Sequence, residues 1–219
     1  MISHPTTSSS CPFCKISSSY PPIAPSSFLS DRSSSSSSKT ASPSTSSEGQ
    51  AHLVLSTRHV LAFLDIMPLT RGHLLLITRG HHEKLGEVGV QDGQELGKWL
   101  PIISRVVTRT VLGKDAPESD MHWNVVQNNG ARAAQLVPHV HFHVIPRPNT
   151  DVVPTGTKMS WVMFGRGQRD DLDDEEGEQL AQAMREELAR EVIRIKESEG
   201  IDLDIDSKPE QKGRSQVKL

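Results

Sequence analysis

The sequence predicts an α+β domain in which a mainly antiparallel sheet carries helices on one side. Three observations predict it: short apolar segments of strand length, two longer segments with apolar residues at helical spacing, and one segment in which histidines alternate with apolar residues. The chain has 219 residues, 35% of them hydrophobic. This suits one domain of about 130 to 150 residues with additional segments better than two small domains.

Five segments are predicted to be strands. They cover residues 52–56, 60–65, 72–78, 121–127 and 138–146. A turn at Thr57 and Arg58 joins the first two segments. The third segment is apolar almost throughout, which favours a central strand buried on both faces of the sheet.

Two helices are predicted to pack on the sheet. The first covers residues 92–112 and ends before Gly113, since glycine is favoured just after the last helical turn. Pro101 lies inside this pattern, where a proline can kink a helix. The second helix begins near the acidic stretch 170–176, which suits a helix N-terminus. It continues to about Glu197, with apolar residues repeating every four positions.

The segments around this domain differ from it in composition. Residues 1–16 contain a Cys-x-x-Cys motif. Residues 17–50 are rich in serine and proline and are predicted to be a disordered insertion, because they cannot bury enough apolar surface to offset the entropy of ordering. The domain itself is predicted over residues 52–165. A C-terminal extension with a helix is predicted over 166–200, and a flexible tail over 201–219.

Charge and hydropathy argue against two classes of partner. The formal net charge of -3 gives no overall basic character of the kind that nucleic-acid-binding proteins show, so no nucleic acid is expected. No run of 18 or more apolar residues is present, so no membrane partner is expected. A secretory signal pattern is not found, and a cytoplasmic or nuclear location, or both, is expected. The C-terminal Val217-Lys218-Leu219 resembles a peroxisomal signal only loosely.

The fifth predicted strand contains three histidines at alternate positions. Because side chains alternate between the two faces of a strand, His139, His141 and His143 share one face, and the apolar residues between them share the other. Imidazole can act as a nucleophile, transfer a proton or bind a metal. The residues alone therefore leave three interpretations: a nucleophilic site for phosphoryl or nucleotidyl transfer, a metal site, or an exposed strand face.

The signature of the histidine triad (HIT) family resembles residues 139–145, His-Val-His-Phe-His-Val-Ile. Other segments are similar to the Hint branch of that family: residues 62–68 with 72–77 resemble its nucleotide-binding strand pair, 124–130 with Gln135 its loop before the triad, and 11–16 its N-terminal start. The resemblance covers residues 11–16 and 52–165, and the combination looks like a fungal-type member. It implies a HIT-like fold, a five-stranded mainly antiparallel sheet with a long helix and a C-terminal helix. The serine-rich insertion and the extended C-terminus depart from the family pattern.

The resemblance implies a role for each of four histidines. His141 would attack the phosphorus of a nucleoside monophosphate group and form a nucleotidyl-histidine intermediate. His143 would contact the phosphate and help to pass a proton to the leaving group. His139 would orient and tune the nucleophile or bind a metal, and His73 would be the fourth histidine of the pocket.

The resemblance also implies a set of nucleotide-binding residues: Phe63, Asp65, Ile66, Asn128, Gln135, His141 and His143. Asp65 would accept hydrogen bonds from the ribose hydroxyls, as an acceptor-only carboxylate can, with a plain turn residue as the alternative. Phe63 and Ile66 would flank the base, although each is also a normal core residue. Asn128 and Gln135 would donate hydrogen bonds to the phosphate and the leaving group.

Cys11, Cys14, His81 and His139 have the ligand types of a tetrahedral Cys₂His₂ zinc site. Some Hint-branch and related proteins complete such a site with the first triad histidine and a histidine that follows the third strand, here His81. The implied zinc is structural, because the protein fills all four positions. No organic cofactor is expected. Without a secretory context, a disulfide between the two cysteines is not expected.

The resemblance implies hydrolysis of the P–N bond of adenosine 5′-monophosphoramidates to AMP, with a purine nucleotide as the bound partner. Two alternatives stay open: hydrolysis of dinucleoside polyphosphates, as in the Fhit branch, and a nucleotide-binding scaffold with weak activity. Leu136 occupies a position that is often polar in Hint relatives, so leaving-group contacts are expected to differ. A homodimer through the long helix and the adjacent strand is also implied, with Trp99 and the face formed by Leu96, Leu100 and Ile103 as candidate contacts.

Overall fold

The computed structural model describes residues 8–32, 49–148 and 171–204. The helices are α1 (Pro12–Ser19), α2 (Val90–Leu112) and α3 (Asp174–Glu199), and the strands are β1 (Leu53–Ser56), β2 (Val60–Leu64), β3 (Leu74–Thr78), β4 (His122–Gln127) and β5 (His141–Arg147). Short 3-10 helices cover Pro25–Arg32, Leu85–Glu87, Glu118–Asp120 and Ala131–Ala133. In this part of the chain, no helix is long and apolar enough to cross a membrane.

The five strands form one sheet in the order β1-β2-β3-β5-β4, with every neighbouring pair antiparallel. This confirms the predicted α+β class and the five-stranded antiparallel sheet. β3 is central, and all five of its residues are buried, as its apolar sequence predicts. In the pairing of β3 with β5, Leu75 lies opposite His143 and Ile77 lies opposite His141. The histidines of β5 are therefore supported by apolar residues of the central strand.

The two faces of the sheet are covered by different helices. On one face, α2 and α3 pack on a core that includes Val60, Leu74 and Val144. On the opposite face, α1 places Phe13 against Phe63, with ring centroids 5.5 Å apart. The sequence predicts helices on one side only, and the structure differs because the apolar residues of the Cys-x-x-Cys segment extend into a helix that covers the second face.

The ends of the long helices follow the predicted capping chemistry. α2 begins two residues before the predicted start, continues through Pro101, and ends at Gly113, whose φ of 100° suits only glycine without strain. The carboxylate of Asp173 caps α3 by accepting hydrogen bonds from two backbone N–H groups of its first turn, at 3.1 and 3.0 Å. The Asp173 cap satisfies backbone groups that a helix N-terminus leaves unpaired.

Residues 17–32 are folded, whereas the serine-rich composition predicts disorder over 17–50. The hydroxyl of Tyr20 donates to the carbonyl oxygen of Ala51 at 2.9 Å. The hydroxyl of Ser26 donates to Asp204 at 2.5 Å, which ties the 3-10 helix Pro25–Arg32 to the chain that follows α3. The apolar residues among the serines bury enough surface to order this segment. The average composition of residues 17–50 does not show this. The remainder of the predicted insertion, residues 33–48, lies outside the described residues.

The start of the predicted flexible tail is also folded, because Leu203 is only 4% exposed and lies in the core between α2, α3 and the sheet. Residues 205–219 lie outside the described part of the chain. The predicted boundary between residues 165 and 166 falls in 149–170, which is likewise not described, so that boundary stays a prediction.

Candidate active site and metal centre

The three alternating histidines lie on the face of the sheet that α1 covers. β5 begins at His141, so His139 precedes the strand, whereas the sequence predicts all three within it. The ring of Phe13 nevertheless contacts both His139 and His141 edge-on, with centroids 5.7 and 5.4 Å away. The ring of His143 lies 4.9 Å from that of His141. The shared face is therefore as predicted, and Val140 and Val144 are buried in the core on the opposite face.

His141 is held in one orientation and one tautomer. Its Nδ1–H donates to the carbonyl oxygen of His139 at 2.6 Å, which leaves the lone pair on Nε2. The side chain is buried. Burial lowers the pKa of His141, and the hydrogen bond to His139 and the negative charge of Asp65 oppose that shift. The result is a neutral imidazole with an unprotonated Nε2, the form that can act as a nucleophile.

His73 and His143 form a hydrogen-bonded pair beside His141. Nε2 of His73 lies 2.9 Å from Nδ1 of His143, and His73 is buried at the start of β3. Nδ1 of His73 accepts a hydrogen bond from the backbone N–H of Leu69 at 3.1 Å. Nε2 of His73 therefore carries the proton and donates to His143. As a consequence, the proton of neutral His143 is on its own Nε2.

Asp65 follows β2 and lies beside this pair. One carboxylate oxygen accepts a hydrogen bond from the backbone N–H of Met67 at 2.9 Å, and the other lies 3.5 Å from Nδ1 of His73. Ile66 is 65% exposed next to it, whereas Phe63 is buried beneath α1. Of the two residues predicted to flank a base, the structure thus places Ile66 at the surface and Phe63 in the core.

The loop between β4 and β5 uses the predicted phosphate donors differently. Gln135 is buried, its Oε1 accepts from the N–H of Gly130 at 2.5 Å, and its Nε2 donates to the carbonyl oxygens of Glu83 at 2.7 Å and His139 at 3.3 Å. Both amide hydrogens are taken, so the predicted role of Gln135 as a phosphate donor is not the one seen in this structure. The side chain instead satisfies backbone groups and supports the same His139 carbonyl that orients the nucleophile. Asn128 is half-buried just after β4.

Four side chains from three separate segments meet beside the triad. Cys11 and Cys14 lie at the start of α1, His81 follows β3, and His139 precedes β5; their candidate ligand atoms all lie within 4.8 Å of one another. Nδ1 of His139 is 3.5 Å from Sγ of Cys11 and 3.7 Å from Sγ of Cys14, and Nδ1 of His81 is 3.3 Å from Sγ of Cys14. A tetrahedral zinc ion places neighbouring sulfur and nitrogen ligands about 3.6 Å apart. The residues predicted as zinc ligands therefore fit a tetrahedral metal site.

Neighbouring groups set the tautomer and the protonation state of the possible metal ligands. Nε2 of His139 donates to the carbonyl oxygen of Thr78 at 2.8 Å, which leaves Nδ1 for a metal. Burial lowers the pKa of His139 to about 4, so its ring is neutral near pH 7. Burial raises the pKa of the Cys14 thiol, opposed by the backbone N–H of Ser8, which lies 3.5 Å from the sulfur. Both cysteines are buried and free of a disulfide.

Comparison with known proteins decides the family. A family model described as the HIT domain matches residues 46–150. The adenosine 5′-monophosphoramidase of Schizosaccharomyces pombe is 42% identical over 104 residues, which are 48% of this chain and 68% of that protein. The chain belongs to the HIT domain family.

Two further comparisons agree with this membership. The adenosine 5′-monophosphoramidase of Candida albicans is 32% identical over 108 residues, 49% of this chain and 67% of that protein. A hypothetical histidine triad nucleotide-binding protein of Sulfolobus tokodaii, of known structure, is 23% identical with a TM-score of 0.51, covering 67% of this chain and 87% of that chain. At this level of identity, the similarity to the solved structure supports the assignment of the fold and nothing further. The resemblance to the histidine triad family is confirmed.

Three contributions to the candidate site were missed by reasoning from the sequence. The backbone N–H of Leu69 fixes the tautomer of His73, Thr78 fixes that of His139, and Phe13 packs on the rings of two triad histidines. Phe13 stands between the two cysteines, and that position could have suggested it. The Leu69 contact uses the backbone and has no sequence signal.

Proposed function

We propose that this HIT domain protein hydrolyses the P–N bond of adenosine 5′-monophosphoramidates and releases AMP. The observation that carries the proposal is the 2.6 Å hydrogen bond from Nδ1 of His141 to the carbonyl oxygen of His139, because it presents Nε2 as a nucleophile. The two fungal relatives named adenosine 5′-monophosphoramidases support the substrate class.

The reaction has two steps at phosphorus. In the first, Nε2 of His141 bonds to phosphorus while the P–N bond breaks, and the amine leaves with the bonding electron pair. In the second, water attacks the nucleotidyl-histidine, the bond to Nε2 breaks, and AMP is released. Because burial lowers the pKa of His141, the neutral and nucleophilic ring is the prevailing form near pH 7.

The leaving amine needs a proton, because an amide anion is a poor leaving group. His143 lies beside His141 and carries a proton on Nε2, since its Nδ1 accepts from His73. Transfer of that proton to the leaving nitrogen is general acid catalysis. Asp65 would accept from the ribose hydroxyls and Ile66 would contact the base. The half-buried amide of Asn128 would donate to the phosphate, a role that Gln135 does not share in this structure.

We infer that zinc is the ion held by Cys11, Cys14, His81 and His139. Two sulfur and two nitrogen donors at these distances suit a closed tetrahedral zinc site, and the protein fills every position. The bound ion would supply structure rather than chemistry by holding α1 against the strand that carries the nucleophile. No organic cofactor is part of the proposal.

We also infer a homodimer, formed by pairing of β4 with β4 of a second copy. β4 is one of the two edge strands of the sheet, and its Trp123 and Val125 are 44% and 42% exposed. The residues that the sequence offers as dimer contacts are used otherwise, because Trp99 and Ile103 are buried in the core of the same chain. A Val125→Lys variant is expected to sediment as a monomer; an unchanged dimer would exclude this interface.

The test of the function compares two substrates at equal concentration, adenosine 5′-monophosphoramidate and diadenosine triphosphate. We expect the phosphoramidate to be the better substrate by kcat/KM. His141→Ala is expected to lower its hydrolysis by at least about 1,000-fold, whereas Arg190→Ala, which removes an exposed charge of α3, leaves it unchanged. A preference for the polyphosphate would overturn the substrate assignment, and residual activity in His141→Ala close to wild type would overturn the nucleophile.

A further inference from the structure

The loop after β2, residues 65–71, carries parts of the candidate active site although none of its residues is buried. Asp65 begins the loop, Ile66 is exposed beside it, and the backbone N–H of Leu69 fixes the tautomer of His73. A segment with few buried contacts can open locally at little cost in free energy. The conformation of this loop therefore depends on contacts that other parts of the chain make with it.

Two such contacts come from the first turn of α3 and the residues just before it. The backbone N–H of Leu172 donates to the carbonyl oxygen of Ile66 at 2.8 Å. Nε of Arg71 donates to the carboxylate of Glu176 at 3.0 Å. We call residues 172–176 the entry segment, because they lead into α3. The entry segment thus contacts the loop near its start and at its end.

The entry segment is itself firmly held. The carboxylate of Asp173 caps α3 by accepting from two backbone N–H groups of its first turn. Leu180 and Met184 fix the helix in the main core, and the side chain of Leu172 packs against the same core. The N–H of Leu172 is therefore presented to the loop from a well-packed element.

The two contacts differ in strength. The side chains of Arg71 and Glu176 are 55% and 49% exposed, so water and salt weaken their attraction. The end of the loop also has other support, because the hydroxyl of Thr70 donates to the carbonyl oxygen of Pro146 at 2.8 Å. The hydrogen bond from Leu172 is therefore the more important contact, and it acts at the start of the loop.

We propose that the entry segment is a positioning element that holds loop 65–71 in the conformation that binds the nucleotide, with the N–H of Leu172 as its main contact. The proposal rests on the proposed phosphoramidase function, in which Asp65 meets the ribose and Ile66 the base. A loop that is ordered before binding loses less conformational entropy when the nucleotide arrives. The entry segment therefore acts on affinity for the nucleotide and leaves the chemistry at His141 unchanged.

The test compares two substitutions of Leu172. Leu172→Pro removes the N–H donor, whereas Leu172→Ala keeps it. Both shorten the apolar contact with the core, so the difference between them reports the hydrogen bond to Ile66. Calorimetric titration with AMP measures affinity, and we expect Leu172→Pro to bind AMP about 3- to 10-fold more weakly than Leu172→Ala.

Steady-state kinetics separate positioning from chemistry. The KM for adenosine 5′-monophosphoramidate should rise in Leu172→Pro by a similar factor, with kcat within about 2-fold of that of Leu172→Ala. Equal AMP affinity in the two variants, or a lower kcat at unchanged KM, would overturn the positioning role. Wild type that binds AMP but hydrolyses no phosphoramidate would overturn the proposed function, while the comparison of AMP affinities would still decide the role of the entry segment.

Amide hydrogen exchange tests the entry segment without any ligand. The N–H groups of Met67 and Leu69 donate to Asp65 and His73 within the site, so their exchange reports opening of the loop. We expect both to exchange at least about 3-fold faster in Leu172→Pro than in Leu172→Ala, with equal exchange in β3. Equal exchange of both loop amides in the two variants would exclude the proposal, whatever nucleotide binds.

Exchange of the two charges at the end of the loop replaces the proline variant if that variant does not fold. Glu176→Arg places two cations together, and the double variant Glu176→Arg with Arg71→Glu restores an opposite pair. At low salt the single variant should bind AMP about 2-fold or more weakly than the double variant. Equal affinities would then overturn the proposal.

Discussion

The carbonyl oxygen of His139 accepts a 2.6 Å hydrogen bond from Nδ1 of His141, while the ring of His139 faces Cys11 and Cys14. The same residue thus orients the nucleophile through its backbone and joins the metal cluster through its side chain. Gln135 donates to that carbonyl as well, at 3.3 Å. The candidate active site and the metal centre are therefore adjacent and share one residue. We expect loss of the metal to disturb the orientation of the nucleophile His141.

Cys14→Ser is expected to lose bound zinc and to lower kcat. Serine is a weak ligand for zinc, and without the ion the start of α1 and the backbone of His139 are less firmly held. We expect wild type to contain one zinc ion per chain and the variant to have kcat reduced by about 10-fold. Elemental analysis and steady-state kinetics measure both. Ser18→Ala, on the exposed side of the same helix, is the matched control; wild type purified without stoichiometric zinc would contradict the assignment.

Arg79→Lys is expected to loosen α1 and weaken zinc binding. The partly buried guanidinium donates to the carbonyl oxygens of Thr57, Ser17 and Tyr20 and to the hydroxyl of Ser56, at 2.6 to 3.1 Å. Burial lowers the pKa of Arg79 to about 10, so the group is still charged near pH 7. An ammonium group cannot reach all four acceptors, and buried acceptors without partners cost roughly 1 to 3 kcal/mol each.

The measurement for Arg79→Lys is competition for zinc with a chelator, together with thermal unfolding. We expect an affinity for zinc about 10-fold lower than wild type and a lower melting temperature, since about 1.4 kcal/mol corresponds to tenfold in an equilibrium constant. Arg190→Lys, on the surface of α3, should change neither. Equal zinc affinity in Arg79→Lys and wild type would show that α1 is positioned by other contacts.

The alternation of side chains along a strand and the residue types of a metal site could be predicted from the sequence. Contacts between segments that are distant in the chain could not. The alternation of histidines gives the shared face, and the Cys-x-x-Cys motif with two histidines gives the metal cluster. The alternation did not reveal that β5 begins after His139. The side chain of His139 lies on the same face as that of His141 although His139 itself is outside the strand. Tyr20 and Ser26 fold within serine-rich sequence because their partners, Ala51 and Asp204, come from far along the chain.

The role of Gln135 illustrates the same limit within the site. Its place before the triad suggests a phosphate donor, but the buried amide instead pairs with three backbone groups of neighbouring loops. Which side chain pairs with a buried backbone group depends on where loops approach one another. A single sequence does not give those approaches.

Gly177→Ala is expected to destabilise the fold, because α3 approaches β1 closely at this glycine. A Cβ atom there would lie 2.5 to 2.8 Å from three ring atoms of His52, closer than carbon contacts allow. The side chain of His52 is only 16% exposed, so its ring would have to shift to admit the added methyl group. We expect a loss of about 1 to 3 kcal/mol in the free energy of unfolding, measured by chemical denaturation.

The control for Gly177→Ala is Gly97→Ala in α2. An added Cβ at Gly97 meets nothing within 4 Å, and the position is an exposed helix interior. Alanine there should raise stability by up to about 1 kcal/mol, since glycine is the poorer helix former. Opposite signs at two helical glycines would assign the loss at Gly177 to the contact with His52; a stabilised Gly177→Ala would contradict that close approach.

Glu191→Ala is expected to weaken the packing of α3 on α2. The carboxylate of Glu191 is 4% exposed and pairs with Arg105 and Arg109 of α2, each at 2.5 Å, and with Arg194 of its own helix. Removing it leaves Arg105 without its ion pair, while Arg109 and Arg194 keep only the longer contacts to Glu187, at 3.8 and 3.7 Å. Because the guanidinium groups are themselves 28 to 49% exposed and can regain water, we expect a loss of about 2 to 3 kcal/mol, at or below the lower end of the range for a broken buried ion pair.

The matched control is Glu178→Ala, which breaks an ion pair with Arg185 at 2.6 Å on the same helix, where the glutamate side chain is 60% exposed. An exposed pair contributes about 1 kcal/mol or less, so this variant should unfold close to wild type. Both are compared by urea denaturation at low and at 0.5 M salt. The Glu191→Ala loss should persist at high salt, because a buried pair is screened little. If the two variants lose equal stability, the cluster around Glu191 acts as an ordinary surface network and α3 is held by its apolar face alone.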